Sequence, residues 1–343
     1  MTCCGAVDIH THIVPASLPD YAGSLRDIAW PSVEHNGDCH ARVLTGGKPY
    51  RDIDHRCWNT ALRVEQMERM GVERQVLSPM PELLSYWFPA KDAQLLARSV
   101  NEQVAAMVAE APSRFAGLGM VPLQSPDLAI EELLYLKSEL GLAGVEIGTN
   151  VNGTPIGHSD FDEFFAAAEA QEVSIFVHPL HPTGMEKLVG PPVLEQVVAF
   201  PCETALAAAS LLTGGIVERY PRLRIALSHG GGAFGQVLPR LQHAWSLAPG
   251  LQRAMKSSPA ELARMLFYDT LVYDPLTLRF LIDRFGVDQV IVGTDYPFAI
   301  MEAEPIRRLQ EIGLSETDRE KIQNSNALRF LGESSGAQAA ATA

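Results

Sequence analysis

Eight short and mostly apolar runs recur along the chain, separated by stretches with helical periodicity. The runs are Val7–Ile13, Val72–Met80, Phe115–Leu123, Leu142–Gly148, Val173–Pro179, Arg224–His229, Met265–Val272 and Gln289–Asp295. They do not alternate apolar with polar residues, so each reads as a strand buried on both faces. Helical patterns lie between them at Thr60–Met70, Lys91–Glu110, Pro126–Leu140, Phe161–Gln171, Leu194–Tyr220, Phe234–Trp245 and Pro275–Phe285. Two more follow near Glu304–Ile312 and Glu316–Leu331. Parallel strands joined by helices close either as a barrel or as an open doubly wound sheet. No glycine-rich dinucleotide fingerprint follows the first run, which disfavours the open sheet. A length of 343 residues suits one barrel with insertions.

The expected fold class is therefore α/β, a (β/α)8 TIM barrel with a small insertion after strand 1 and C-terminal helices. Residues 1–333 are read as a single domain of this kind. Within it, 14–57 is rich in Pro, Gly and His and carries a turn-like Thr45-Gly46-Gly47-Lys48-Pro49. This segment is expected to form small antiparallel strands over the end of the first strand. Residues 334–343 are small and polar, as in a disordered tail.

In such a barrel, functional groups collect at the C-terminal ends of the strands. The first run ends in His10 and His12. Residues i and i+2 of a strand share a side, so both imidazoles can face one point, as a divalent metal requires. His178 ends the fifth run, His229 the sixth and Asp295 the eighth. His35, His40, His55, His158, His181 and His243 fall in loops or helices. Any single strand-end histidine is more simply a satisfied structural residue, but five ligand-type residues on one rim point to a metal site. Nitrogen and carboxylate donors without thiolate suit Zn2+, with Mn2+ or Fe2+ also compatible. The fourth run ends in Val145-Glu146-Ile147-Gly148, with no lysine to bridge two ions, so one metal per chain is expected. Glu146 is kept as a further candidate for the site. His229 is then free to act as acid and base near neutrality. The Gly230-Gly231-Gly232 loop lacks the lysine and hydroxyl of a phosphate-binding loop.

The formal net charge of −14 argues against nucleic acid and against an anionic membrane surface as partners. No apolar run long enough to cross a membrane is expected. The first seven residues lack the basic and apolar regions of a signal peptide. The five cysteines (Cys3, Cys4, Cys39, Cys57 and Cys202) form no regular framework, which fits reduced thiols in a cytoplasm. Cys3 and Cys4, as neighbours on a strand, would point opposite ways and are not expected as ligands.

A wider ordered set of residues accompanies the rim. It comprises Asp8-Ile9-His10-Thr11-His12-Ile13, Arg51 with Cys57-Trp58, Leu77-Ser78, Ser85-Tyr86-Trp87 and Arg114 to Gly119. It continues with Gly144 to Thr149, Phe176-Val177-His178-Pro179, His229 to Phe234 and Gly293-Thr294-Asp295-Tyr296-Pro297-Phe298. In these residues the chain resembles the metal-dependent amidohydrolase superfamily, in particular the aminocarboxymuconate-semialdehyde decarboxylase branch, to about Leu331. The resemblance implies that His10, His12, His178 and Asp295 hold one zinc and that His229 handles the proton of a metal-bound water. It implies that Arg51 binds a substrate carboxylate and that Arg240 reaches the site of a neighbouring subunit in a homodimer. Trp87 and Phe298 become pocket residues. The implied reaction is non-oxidative decarboxylation of an unsaturated or aromatic carboxylic acid, like aminocarboxymuconate semialdehyde or a hydroxybenzoate. A hydrolase or hydratase of a lactone, amide or unsaturated acid would need nearly the same centre, and a metal-binding scaffold without turnover is a third reading. Two departures leave the substrate open. The stretch His181–Gln196 is shorter than the family's lid and lacks its tryptophan, and Asp54 stands where the family can carry a second arginine.

Overall fold

In a computed structural model, which describes residues 5–25 and 28–333, the first apolar run forms β1 (Ala6–Ile13), buried at every position. Three antiparallel strands follow, β2 (Pro31–His35), β3 (His40–Thr45) and β4 (Lys48–Asp54). The β3–β4 hairpin turns on Gly46 and Gly47, whose φ values of 57° and 74° lie in the left-handed region that a tight two-residue turn demands. This sheet occupies the 14–57 segment, where small antiparallel strands were expected.

The chain then returns to the barrel through β5 (Val72–Pro79), β6 (Phe115–Gly119) and β7 (Gly144–Gly148). A small hairpin, β8 (Asn150–Val151) with β9 (Thr154–Pro155), caps β7 and had no counterpart in the sequence reading. The remaining strands are β10 (Ser174–His178), β11 (Arg224–Leu227), β12 (Phe267–Asp269) and β13 (Val290–Ile291). Eight strands pair in parallel in the order β1-β5-β6-β7-β10-β11-β12-β13. The residues after β13 close the circle onto β1. Ile9 N donates to Val292 O at 2.9 Å, Asp295 N to His10 O at 2.8 Å and His12 N to Tyr296 O at 2.7 Å. The (β/α)8 barrel expected from the eight runs is thus formed.

Local signals set the helices between strands. Asn59 caps Thr60–Met70 by accepting from Leu62 N, and Gly71 ends it at φ 71°. Asp274 caps Pro275–Phe285 by accepting from Thr277 N, with proline in the first turn. The larger apolar core lies between strands and helices. A second cluster joins Val7, Ile9, Val76, Leu118, Phe176 and Ile291 to Ala327 and Phe330. The helix Asn326–Leu331 therefore closes the N-terminal end of the barrel, where Phe330 O accepts from Ser174 Oγ at 2.5 Å and Arg224 Nε at 2.8 Å.

The long helical region expected at Leu194–Tyr220 is divided. A π-helical turn, Glu195–Ala199, leads into Phe200–Thr213, and a break at Gly214-Gly215 precedes Ile216–Arg219. Contrary to the sequence expectation, Glu195–Thr213 is long and apolar enough to cross a membrane, with mean hydropathy 1.3 over its most apolar window. Half of that window is buried in the structure, and Ala207, Ala208, Leu211 and Leu212 belong to the core, which accounts for the composition. Cys3, Cys4 and the 334–343 tail lie outside the described residues.

Candidate metal centre and pocket

The β1–β5 register slips between Asp8 and Thr11, and the end of β1 delivers two imidazoles to one point: His10 Nε2 and His12 Nε2 are 3.2 Å apart. Their other nitrogens are engaged. His10 Nδ1–H donates to Asp269 Oδ2 at 2.7 Å and His12 Nδ1–H to Pro79 O at 3.0 Å. His178 Nδ1–H likewise donates to Pro179 O at 3.0 Å. Each tautomer is thereby fixed with an Nε2 lone pair left for a ligand. Asp295 Oδ1 lies 3.2 Å from His12 Nε2 and 3.7 Å from His10 Nε2. One donor atom from each of His10, His12, His178 and Asp295 falls within 4.8 Å of all the others, and all four residues are buried.

This arrangement fits a cation. Two nitrogen lone pairs at hydrogen-bond distance with no proton between them repel unless a positive charge intervenes. Donors at ~2.1 Å around a tetrahedral ion sit ~3.4 Å from one another, close to the spacings found. Burial raises the cost of charge on Asp295, yet the neighbouring imidazoles, His12 foremost, hold its carboxyl below the usual range. Burial and the surrounding imidazoles push His178 well down, keeping it a neutral donor.

His229 stands beside this group, with ring centroids 5.1 Å from His178 and 5.3 Å from His10. Burial, aided by the neighbouring His10 imidazole, pushes it down to about 4, so it is neutral at pH 7. His229 and Asp295 both adopt left-handed backbone, at φ 55° and 62°, an unfavourable conformation for such residues that collects at functional sites. Asp269, at the end of β12, anchors the arrangement. Its Oδ2 accepts from His10 Nδ1 and from His229 N at 3.0 Å, and its Oδ1 from Gly230 N at 2.8 Å and Leu271 N at 3.1 Å. A Cβ on Gly293 would come within 2.7 Å of Asp269 Cβ and 2.9 Å of His10 Cβ, so only glycine leaves this contact intact. Asp8 braces the same closure by accepting from Thr294 Oγ1 at 2.6 Å, and burial pushes its carboxyl up to about 7.

A narrow chamber of about 20 Å³, room for roughly one water, is lined by His12, His178, His229 and Asp295 with Arg51, Glu82, Gln196, Phe200 and Phe298. It adjoins an outer chamber of about 360 Å³ that shares Arg51, Gln196 and Phe298 and adds His40, Asp54 and Arg56. Arg51 reaches the rim from β4. Its guanidinium lies 4.4 Å from the Phe298 ring centre, and Nη2 is 3.3 Å from Glu82 Oε1. Phe298 in turn stacks on His12 at 5.3 Å. Asp54 forks with Arg56, at 2.9, 3.0 and 2.8 Å.

Three candidate residues lie outside the four-donor group and both chambers of their own chain. Trp87 lines neither chamber; it stacks on His181 at 4.5 Å and meets Phe88 edge-on. Arg240 is exposed on the helix Phe234–Leu247 and lies outside both chambers of its own chain. Glu146 is buried on the far side of His12, with Oε2 3.6 Å from Nδ1, and is not in the four-donor group. Neither of its oxygens finds a donor among the described residues, since Ser78 Oγ gives its proton to Thr11 O. Burial pushes this carboxyl up to about 7. Asp269, Glu82 and Gln196 were missed by sequence reasoning. Asp269 falls inside the run Met265–Val272 rather than at its end, Glu82 lies in a segment without a period, and Gln196 lies in the stretch Leu194–Tyr220, which reads as helix.

Comparison with known proteins gives a consistent set of matches. A family model described as amidohydrolase matches residues 7–332. A protein of Dictyostelium discoideum named 2-amino-3-carboxymuconate-6-semialdehyde decarboxylase is 36% identical over 95% of this chain and 91% of its own length. A gamma-resorcylate decarboxylase of Rhodococcus jostii is 29% identical over 94% and 97%. Among solved structures, a 5-carboxyvanillate decarboxylase from Sphingomonas paucimobilis superposes with a TM-score of 0.74 at 28% identity, over 81% of this chain and 85% of the other.

Proposed function

Because the chain belongs to the amidohydrolase family, we propose that its rim holds one divalent metal, zinc, and that it decarboxylates an unsaturated or aromatic acid without an oxidant. At the coarser level the chain is a metal-dependent carboxy-lyase of the aminocarboxymuconate-semialdehyde decarboxylase-like branch. The observation that carries the finer reading is the convergence of one donor atom from each of His10, His12, His178 and Asp295, three of these residues lining a chamber that also holds neutral His229 and Arg51.

His10, His12, His178 and Asp295 would hold the metal, which when bound supplies a Lewis acid that polarises an oxygen of the substrate. Arg51 offers a planar guanidinium to the anionic carboxylate, and Phe298 packs against its face. Loss of CO2 leaves an electron pair on carbon that a proton must take up. Neutral His229 can accept a proton from solvent water and pass it to that carbon, so that the proton takes the place CO2 leaves; burial keeps the imidazole uncharged between turnovers at neutral pH. The apolar flank of Phe200, Phe298 and Ile300 leaves little room for competing water. A hydrolytic outcome at the same centre would instead add water to the product.

The test is release of CO2 by metal-analysed protein from a panel of hydroxybenzoates and amino- or hydroxy-muconates. One zinc per chain, loss of turnover on chelation and recovery on adding metal are expected. His229→Asn should lower kcat by roughly 10²- to 10⁴-fold while metal stays bound. Two tightly held metals per chain, or a product that keeps every carbon and gains water, would refute the reading.

A further inference from the structure

We infer that Glu82 accepts a hydrogen bond from the substrate, so that the pocket selects acids bearing a hydroxyl or amino group beside the carboxylate; this rests on the decarboxylase reading of the chamber. Glu82 is the second residue of the short turn Pro81–Leu84 that follows β5, and it lines the inner chamber with His12, His178, His229, Asp295 and Arg51. Its side chain is 16% exposed. The two carboxylate oxygens differ. Oε1 accepts from the Tyr50 hydroxyl and from Arg51 Nη2 at 3.3 Å. Oε2 is fully buried and meets no donor among the described residues.

A buried carboxylate oxygen without a donor is unfavourable, and such groups in native proteins are completed by something that binds. Tyr50 and Arg51, both on β4, fix the carboxylate in place, so the acceptor is oriented before a ligand arrives. The bond to Glu82 uses one of the five N–H donors of Arg51, leaving the others for a substrate carboxylate. Donor and acceptor therefore stand side by side. Arg51 takes the carboxylate of the acid, and Glu82 takes an O–H or N–H carried close to it. A second anionic group at that corner would meet the Glu82 charge and be rejected.

The experiment compares each hydroxybenzoate isomer with its methyl ether on zinc-loaded protein, by calorimetric binding and by kcat/KM for CO2 release. Wild type should favour the hydroxyl forms by roughly 10- to 10²-fold, the discrimination one hydrogen bond to a charged acceptor supplies. Glu82→Leu should reduce the ratio to below roughly 3-fold, with the bound metal unchanged. Glu82→Gln keeps the shape; its amide oxygen remains with Tyr50 and Arg51, its NH2 replaces the acceptor, and the ratio should fall likewise. A wild-type ratio near one, or either folded variant with the wild-type ratio, overturns the role of Glu82. If no acid releases CO2, the decarboxylase reading fails, and the calorimetric ratio still decides whether Glu82 selects for a donor.

Discussion

Asp269 receives four donors drawn from β1, from the turn after β11 and from its own loop. One carboxylate thus fixes the tautomer of a metal-binding histidine and the position of the histidine proposed to move the proton. Asp269→Asn keeps the volume but turns one acceptor into a donor, which must then face either His10 Nδ1–H or a backbone N–H. Metal affinity should fall roughly 10- to 100-fold, as for other partners of ligating histidines. Competition with a chelating dye measures it, with circular dichroism as the control for folding; wild-type affinity in a folded variant would show that Asp269 does not position His10. At this scale much of the site was legible. His10 and His12 follow from strand periodicity, and His178, His229 and Asp295 from their places at strand ends. Glu82 was not legible, because its partner Arg51 is 31 residues away on a hairpin and no period links the two. Trp87 shows the converse: the Ser85-Tyr86-Trp87 motif marks the branch, yet Tyr86 bonds Gly148 N while Trp87 turns to His181.

The element that sets the metal site is β1, and the helix Thr60–Met70 holds it through Arg63. This arginine is wholly buried. Nη1 donates to His12 O at 2.9 Å and Arg56 O at 3.1 Å, Nη2 to Thr11 Oγ1 at 3.2 Å and Nε to Gln75 Oε1 at 3.3 Å. Its guanidinium also lies 4.8 Å from the Tyr296 ring centre. Burial disfavours the charge and pushes its pKa down, so the hydrogen bonds must offset that cost. Arg63→Met fills similar space but leaves the carbonyls of His12 and Arg56 without that donor. It should cost roughly 3 kcal/mol, read as a lower denaturant midpoint at unchanged slope; an unchanged midpoint would mean that water replaces the guanidinium freely. The strands and long helices were legible because strands buried on both faces are continuous apolar runs and the helices carry a 3.6-residue period. The helices Pro249–Ala254 and Pro259–Ala263 are too short to show a period. The π-helical segments Glu195–Ala199 and Lys321–Ser325 keep an apolar pattern that reads as ordinary helix.

The molecule as a whole carries a net charge of −14 and is proposed to bind an anion, so its long-range field repels its own substrate. Arg51 offsets part of that field, but Glu82 shares its charge. A second guanidinium at the site would restore the balance, and Arg240 is exposed outside the chambers of its own chain. On the same helix Val237 is 47% and Leu247 69% exposed, apolar surface of the kind that association covers. A homodimer with two-fold symmetry would let each subunit lend Arg240 to the other's pocket. Alone, Arg240→Ala and His229→Ala should each be nearly inactive while still binding zinc. Mixed in equal amounts and allowed to exchange, half of the dimers are heterodimers, and each of these has one complete site, with His229 from one chain and Arg240 from the other. Activity should then recover to about a quarter of wild type, and dilution of the wild type should lower its specific activity as dimers separate. If mixed dimers form, as judged by a tag on one variant, and remain as inactive as their parents, Arg240 acts within its own subunit or not at all, and the shared site is refuted.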